Sequence, residues 1–217
     1  MDFAAARRIM VDSQIRPNDV TDPEIVASLL AVPREVFVPA SRRGVAYSEL
    51  KIETSEGRAL WTPRDFSKLL KAIDPQRGDI ALILGAGAGY ETAVLARLVE
   101  TAIGVEEDEA LVNKATERLA EVGADRAVVV EGSLQAGLPD QGPFDLILIN
   151  GMVETVPDAW LAQLAENGRL GVVVQTTNGL GGARVYKKTG DVVSYRNVFE
   201  ARPPKFTAFN AEQSFAF

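Results

Sequence analysis

The chain has 217 residues, 47% hydrophobic and 24% charged, with a formal net charge of −7 and neither cysteine nor histidine. Such a balance belongs to a globular protein with a substantial core, and the missing side chains exclude disulfides, thiolate nucleophiles, a Ser-His-Asp triad and histidine-built metal sites, so no metal is expected. The acidic balance disfavours nucleic acid as a partner, and the lack of a long apolar run or an apolar leader core points to a cytoplasmic protein with no membrane association.

In chain order, Phe3, Ala6, Ile9 and Met10 are spaced for one apolar face of a helix over residues 2–15, broken by Arg16-Pro17-Asn18-Asp19. A second helix is predicted from Thr21 or Asp22, with Pro23 in its first turn and Ile25, Val26, Leu29 and Leu30 inward, ending before Pro33. Residues 34–39 read as a connector, 46–49 lead into a polar stretch, and GRALWTP (57–63) reads as a loop before a helix over 64–73. A loop tryptophan such as Trp61 is a packing anchor or a ligand platform.

Ile80 to Leu84 is an unbroken apolar run, short enough for a strand buried on both faces, and it runs into Gly85, Gly87 and Gly89 before a helix predicted over 92–98. Strand, glycine turn and helix is the geometry that lays a nucleotide-like ligand over the carboxyl end of a parallel strand. The third glycine comes one residue too early for a dinucleotide fingerprint. The G-x-G-x-G spacing suits a nucleoside without a diphosphate, of which S-adenosyl-L-methionine is the commonest. The alternative is a glycine turn that binds nothing.

Strands are then predicted over 102–105, 127–130, 144–149 and 170–174, with helices over 109–122 and 160–165 and a closing hairpin of 184–187 with 192–199 around Gly190-Asp191. The alternation is that of an α/β fold with a doubly wound, mostly parallel sheet. One domain over 1–217 is the economical reading, with a helical extension over 1–73 and the sheet core over 74–217. Glu106, at the end of the second strand, is placed to accept from both ribose hydroxyls. After the third strand Gly132 and Ser133 form a turn that could meet an adenine edge, and Asn150 ends the fourth strand where it could touch the methionine part of the ligand; both sites could equally be plain turns.

The chain resembles the protein-L-isoaspartate O-methyltransferase family. The resemblance rests on VPREVFVP (32–39), AYSE (46–49), GRALWTP, GAGAGYETAVLARL (85–98), Glu106, EGSLQAGLP (131–139), GPFDLILIN (142–150) and NGRLGVVV (167–174). It implies a seven-stranded, Rossmann-like methyltransferase sheet, S-adenosyl-L-methionine as donor, and a protein or peptide substrate methylated on the α-carboxylate of L-isoaspartyl residues. By the same resemblance Gly85, Gly87, Gly89, Glu106, Gly132, Ser133 and Asn150 hold the cofactor, and Tyr47, Arg58 and Trp61 the substrate. Four positions depart from the family pattern. Trp61 stands where the family's Thr-Ile-Ser-Gln-Pro run has its serine, Ile83 where an acid contacts the cofactor, Ser133 where an Asp follows the third-strand glycine, and Glu49 for an Asp. The alternatives are therefore a catalytically degenerate cofactor-binding member, or a methyltransferase for another acceptor.

Overall fold

The structure is a computed structural model that describes residues 1–176, 180–206 and Phe209. Its centre is a seven-stranded sheet built on β3 (Ile80–Leu84), β4 (Thr101–Glu106), β5 (Ala127–Glu131), β6 (Phe144–Val153), β7 (Leu164–Gln175), β8 (Gly181–Thr189) and β9 (Val192–Ala201). The strand order is β5-β4-β3-β6-β7-β8-β9. The first five lie parallel, and β7, β8 and β9 continue as an antiparallel meander. The order reverses between β4 and β6 on either side of β3, which is where an open α/β sheet leaves a crevice at its carboxyl edge.

Alternate residues of the central strands face two unequal layers. Ala81 and Ile83 of β3, with Leu146 and Leu148 of β6, pack into one large cluster. That cluster also takes the buried apolar residues of α1 (Phe3–Met10), α2 (Pro23–Ala31), α3 (Pro63–Ile73), α4 (Tyr90–Leu95) and α5 (Glu109–Glu121). Leu82, Leu84, Ile147 and Ile149 face the other way, against Trp160 of α6 (Asp158–Ala162), Phe206 and Phe209. The expected double winding is thus lopsided: five helices cover one face, and a short helix, loops and a C-terminal segment cover the other. The reason lies in residues 132–143, where three glycines and two prolines leave no stretch for a full helix between β5 and β6.

Several boundaries differ from the periodic reading. The first helix is α-helical only to Met10, then widens to a π turn over Val11–Ile15 and tightens to 3₁₀ over Arg16–Asn18. The stretch read as a polar loop is a hairpin of β1 (Ile52–Ser55) and β2 (Arg58–Leu60) around Gly57, whose φ is +68°. Helix α4 starts at Tyr90, directly on Gly89, and ends at Leu95 in 3₁₀-type turns. All six of its residues are buried, so it has no polar face for periodicity to register. Helix α6 ends at Ala162 because the chain enters β7 at Leu164, paired with Phe144. Among the described residues no helix is long and apolar enough to cross a membrane.

Candidate cofactor and acceptor site

The crevice is floored by the glycine loop between β3 and α4. Gly85, Gly87 and Gly89 have φ of +78°, +55° and +93°, a region that side chains with a Cβ rarely enter. The amides of Gly85 and Ala86 both donate to the Val105 carbonyl at 3.0 Å, which ties the loop to β4. Glu106 then emerges beside it, fully buried. Its Oε1 accepts from the Gly87 amide (2.7 Å) and Arg58 Nε (2.7 Å), and its Oε2 from Arg58 Nη2 (2.9 Å) and the Glu107 amide (3.3 Å). Gly132 adjoins the same residue, its amide donating to the Glu106 carbonyl at 2.9 Å. Beyond it opens a cleft of ≈ 440 Å³ lined by Glu107, Glu131, Gly132 and Ser133. Ser133 Oγ accepts from the Ala136 amide at 3.3 Å and Glu107 from the Leu134 amide at 3.1 Å, so both side chains also shape this turn.

Asn150 joins the loop from β6. Its Nδ2 donates to the Gly85 carbonyl (2.9 Å) and to Glu91 Oε2 (3.2 Å). Glu91 is the site residue that sequence reasoning passed over: a fully buried carboxylate in the first turn of α4, the one acid in the otherwise uncharged YETAVL. Glu91 Oε1 and Asn150 Oδ1 have no hydrogen-bond partner among the described residues. Burial pushes the Glu91 carboxyl up to about 7, against the smaller opposing pulls of the Arg34 guanidinium, its own backbone, Asn150 and the Trp61 backbone.

An acid whose folded pKa is raised keeps its proton where the unfolded chain has lost it, so stability falls as pH rises from about 4.5 through 7 and is level above that. The loss is on the order of 3 kcal/mol. Glu91→Gln, which stays neutral, is therefore expected to match the parent most closely near pH 5 and to exceed it by roughly 2 to 3 kcal/mol at pH 8. Urea unfolding across that range tests this; parallel pH profiles for the two proteins would sink it.

The space over the loop is filled by the chain itself. Arg58 reaches across Gly87 to Glu106, and its guanidinium lies 4.9 Å from the centre of the Phe206 ring. The far end of that ring abuts two glycines: a β-carbon on Gly85 would collide with it, and one on Gly151 would come within 2.9 Å. In kind, the residues fit a nucleoside: a glycine loop without side chains, a carboxylate at its amide, and a cleft after β5. In the conformation seen, Arg58 and Phe206 lie over the loop.

The remaining expected site residues lie in the N-terminal layer. Arg34, fully buried, donates through Nε to the Ala46 carbonyl (2.8 Å) and through Nη2 to the Trp61 carbonyl, and stacks 4.9 Å over the Tyr90 ring. It thereby clamps residues 46–61 onto α4. Trp61 is buried in the main core, its indole N–H without a partner among the described residues. Tyr47 donates its hydroxyl to Glu35 and accepts from Arg7 Nε at 2.8 Å; burial, with Glu35 beside it, raises the phenol well above its ordinary pKa. Glu49 accepts from the Arg64 amide at 3.2 Å at the start of α3. The structure thus brings Arg58, Gly85, Gly87, Glu106 and Asn150 together, seats Gly132 and Ser133 at their edge, and engages the Tyr47 hydroxyl in a separate network.

A family model described as protein-L-isoaspartate(D-aspartate) O-methyltransferase matches residues 6–202. A protein-L-isoaspartate O-methyltransferase of Roseiflexus castenholzii is 35% identical over 207 residues, covering 93% of this chain and 92% of its own. One of Methylorubrum extorquens is 35% identical over 178 residues, 82% and 78% of the two chains. Among solved structures, a protein-L-isoaspartate O-methyltransferase superposes with a TM-score of 0.79 at 22% identity, over 93% of this chain and 65% of that one. A Plasmodium falciparum protein described as a beta-aspartate methyltransferase, in complex with S-adenosyl-L-homocysteine, gives 0.77 at 19%, over 92% and 97%. At those identities the structural matches speak for the fold.

Proposed function

We propose, from the premise that this chain belongs to the protein-L-isoaspartate O-methyltransferase family, that it methylates L-isoaspartyl residues of proteins and peptides with S-adenosyl-L-methionine as donor. The observation that carries this reading is the family match across residues 6–202, which takes in the Arg34 clamp, the glycine loop and Glu106 together. When bound, the cofactor supplies a methyl group on a sulfonium that needs no further activation. An isoaspartyl α-carboxylate is ionised at neutral pH, so no residue has to remove a proton from it, which suits a chain without histidine. What remains for the protein is positioning and exclusion of water.

In this reading the glycine loop, which carries no side chain at Gly85, Gly87 and Gly89, makes room for the nucleoside, and the Glu106 carboxylate holds it by accepting from ribose hydroxyls. Gly132 and Ser133 border the base, while Asn150, through the Gly85 carbonyl, fixes the loop. Arg58 belongs to the acceptor side, while Trp61, enclosed in the main core, and Tyr47 act on it from behind by bracing residues 46–61. The family role is protein repair, and the cytoplasm, where the methyl donor is made, is the proposed compartment.

The test is transfer of a labelled methyl group to an isoaspartyl peptide beside its aspartyl control. Label is expected in the first alone. Absence of transfer to both, with S-adenosylhomocysteine still bound, would replace this reading by that of a degenerate cofactor-binding member.

A further inference from the structure

Resting on the methyl-transfer reading above, we infer that Arg58 is a two-position residue. It is latched to Glu106 beneath Phe206, and a cofactor ribose that binds Glu106 releases it into the cleft that receives the acceptor carboxylate. A carboxylate offers about four lone-pair positions. Those of Glu106 are met by four donors, two from Arg58 and one each from the Gly87 and Glu107 amides. A ribose can reach this carboxylate only in exchange for Arg58, because the two backbone donors belong to the loop and strand that form the floor.

Phe206 holds the latch shut. Its ring faces the guanidinium at 4.9 Å and rests on Gly85 and Gly151. Its backbone is stitched to β6, with the Phe206 amide donating to the Met152 carbonyl (2.9 Å) and the Met152 amide to the Pro204 carbonyl (2.7 Å). A ligand laid against Gly85 would meet this ring, so ring and cofactor compete for that surface.

Once freed, the guanidinium has an evident destination. Arg58 also lines a cleft of ≈ 540 Å³, open to solvent, whose other charged residues are Lys51, Glu53, Glu56 and Lys205. A guanidinium fork matches a carboxylate in two parallel hydrogen bonds. In the closed crevice Glu106 supplies that carboxylate; in the open one the acceptor does. The order of binding follows, cofactor before acceptor, and the cofactor's apparent affinity is reduced by the fraction of molecules that are closed.

A purely structural ion pair predicts that removing Arg58 leaves cofactor affinity unchanged or weaker. The switch predicts effects of opposite sign on the two ligands. Titration of Arg58→Ala with S-adenosylhomocysteine should show binding tighter by about tenfold, whereas KM for an isoaspartyl peptide should rise by about tenfold. Phe206→Leu, which keeps apolar bulk but removes the ring, should tighten S-adenosylhomocysteine binding and leave the peptide KM unchanged; it decides the matter if Arg58→Ala does not fold. Binding no tighter than in the parent overturns the latch and leaves the methyl-transfer reading standing, and tighter binding with an unchanged KM in Arg58→Ala overturns the second position. Failure of the parent and both variants to bind S-adenosylhomocysteine overturns the latch together with the cofactor reading beneath it.

Discussion

Glu106→Ala is expected to reduce S-adenosylhomocysteine affinity by a hundredfold or more while costing less stability than Arg58→Ala. The affinity loss follows from two hydroxyl hydrogen bonds to a charged acceptor, each worth about 1.5 to 3 kcal/mol, at 1.4 kcal/mol per tenfold. The stability ranking follows from burial. Glu106 is wholly enclosed, whereas the Arg58 side chain is 16% exposed and borders an open cleft. Losing Glu106 strands a guanidinium that can turn outward to water. Losing Arg58 strands a carboxylate that cannot, with two backbone amides as its remaining donors. Breaking a buried pair from that side costs about 3 to 5 kcal/mol. The double replacement should therefore lie close to Glu106→Ala, well above Arg58→Ala. Urea unfolding of the four proteins gives the ranking, and equal losses in the two single variants would refute it.

The asymmetry between these residues also explains what the sequence could and could not disclose. Glu106 was legible because its position is set locally: an apolar strand, a glycine turn, a helix, a second strand, and an acid at its end. The same local signals located β3, the start of α2 at Asp22, the start of α5 at Glu109, and the β8–β9 hairpin. Arg58 and Phe206 meet the crevice by contacts that no periodicity encodes. Arg58 lies 48 residues from the acid it binds. Phe206 reads in sequence as one more aromatic residue near the C-terminus, and only the fold seats it on Gly85. Glu91 was hidden for another reason. An acid in the first turn of a helix is ordinarily a solvated partner of the helix dipole, and only the burial of the whole of α4 turns it into an enclosed group beside Asn150. Ile83, read as a missing cofactor contact, lies on the helical face of the sheet in the main core, between Gly104 and Leu148. The carboxylate that the structure places beside the loop on that side is Glu91.

Gly104→Ala is the substitution expected to damage fold and site together. Gly104 lies within β4, in TAIGVE. In the structure it sits mid-sheet, paired with Ile83 on one side and Val129 on the other. A β-carbon there would lie 2.7 Å from Ala86 Cβ, 3.0 Å from Val129 Cγ2 and 3.2 Å from Thr92 Oγ1. Val129 can change rotamer, but Ala86 cannot withdraw without breaking the two hydrogen bonds from loop amides to the Val105 carbonyl. The added methyl must therefore push the glycine loop off the sheet or bend β4. Overpacking of this kind costs about 1 to 3 kcal/mol, and the upper end applies where the neighbour is pinned backbone. For a chain of this size that lowers Tm by roughly 5 to 10 °C. Cofactor affinity should fall with it, because the displaced residues are the floor of the crevice. Gly44→Ala is the matched control: nothing lies within 4 Å of the added carbon and its φ is not in the left-handed region, so its Tm should stay within about 2 °C of the parent. If the two alanine variants melt together, the loop is not held by close packing on Gly104, and the absence of a side chain at that position has no part in shaping the site.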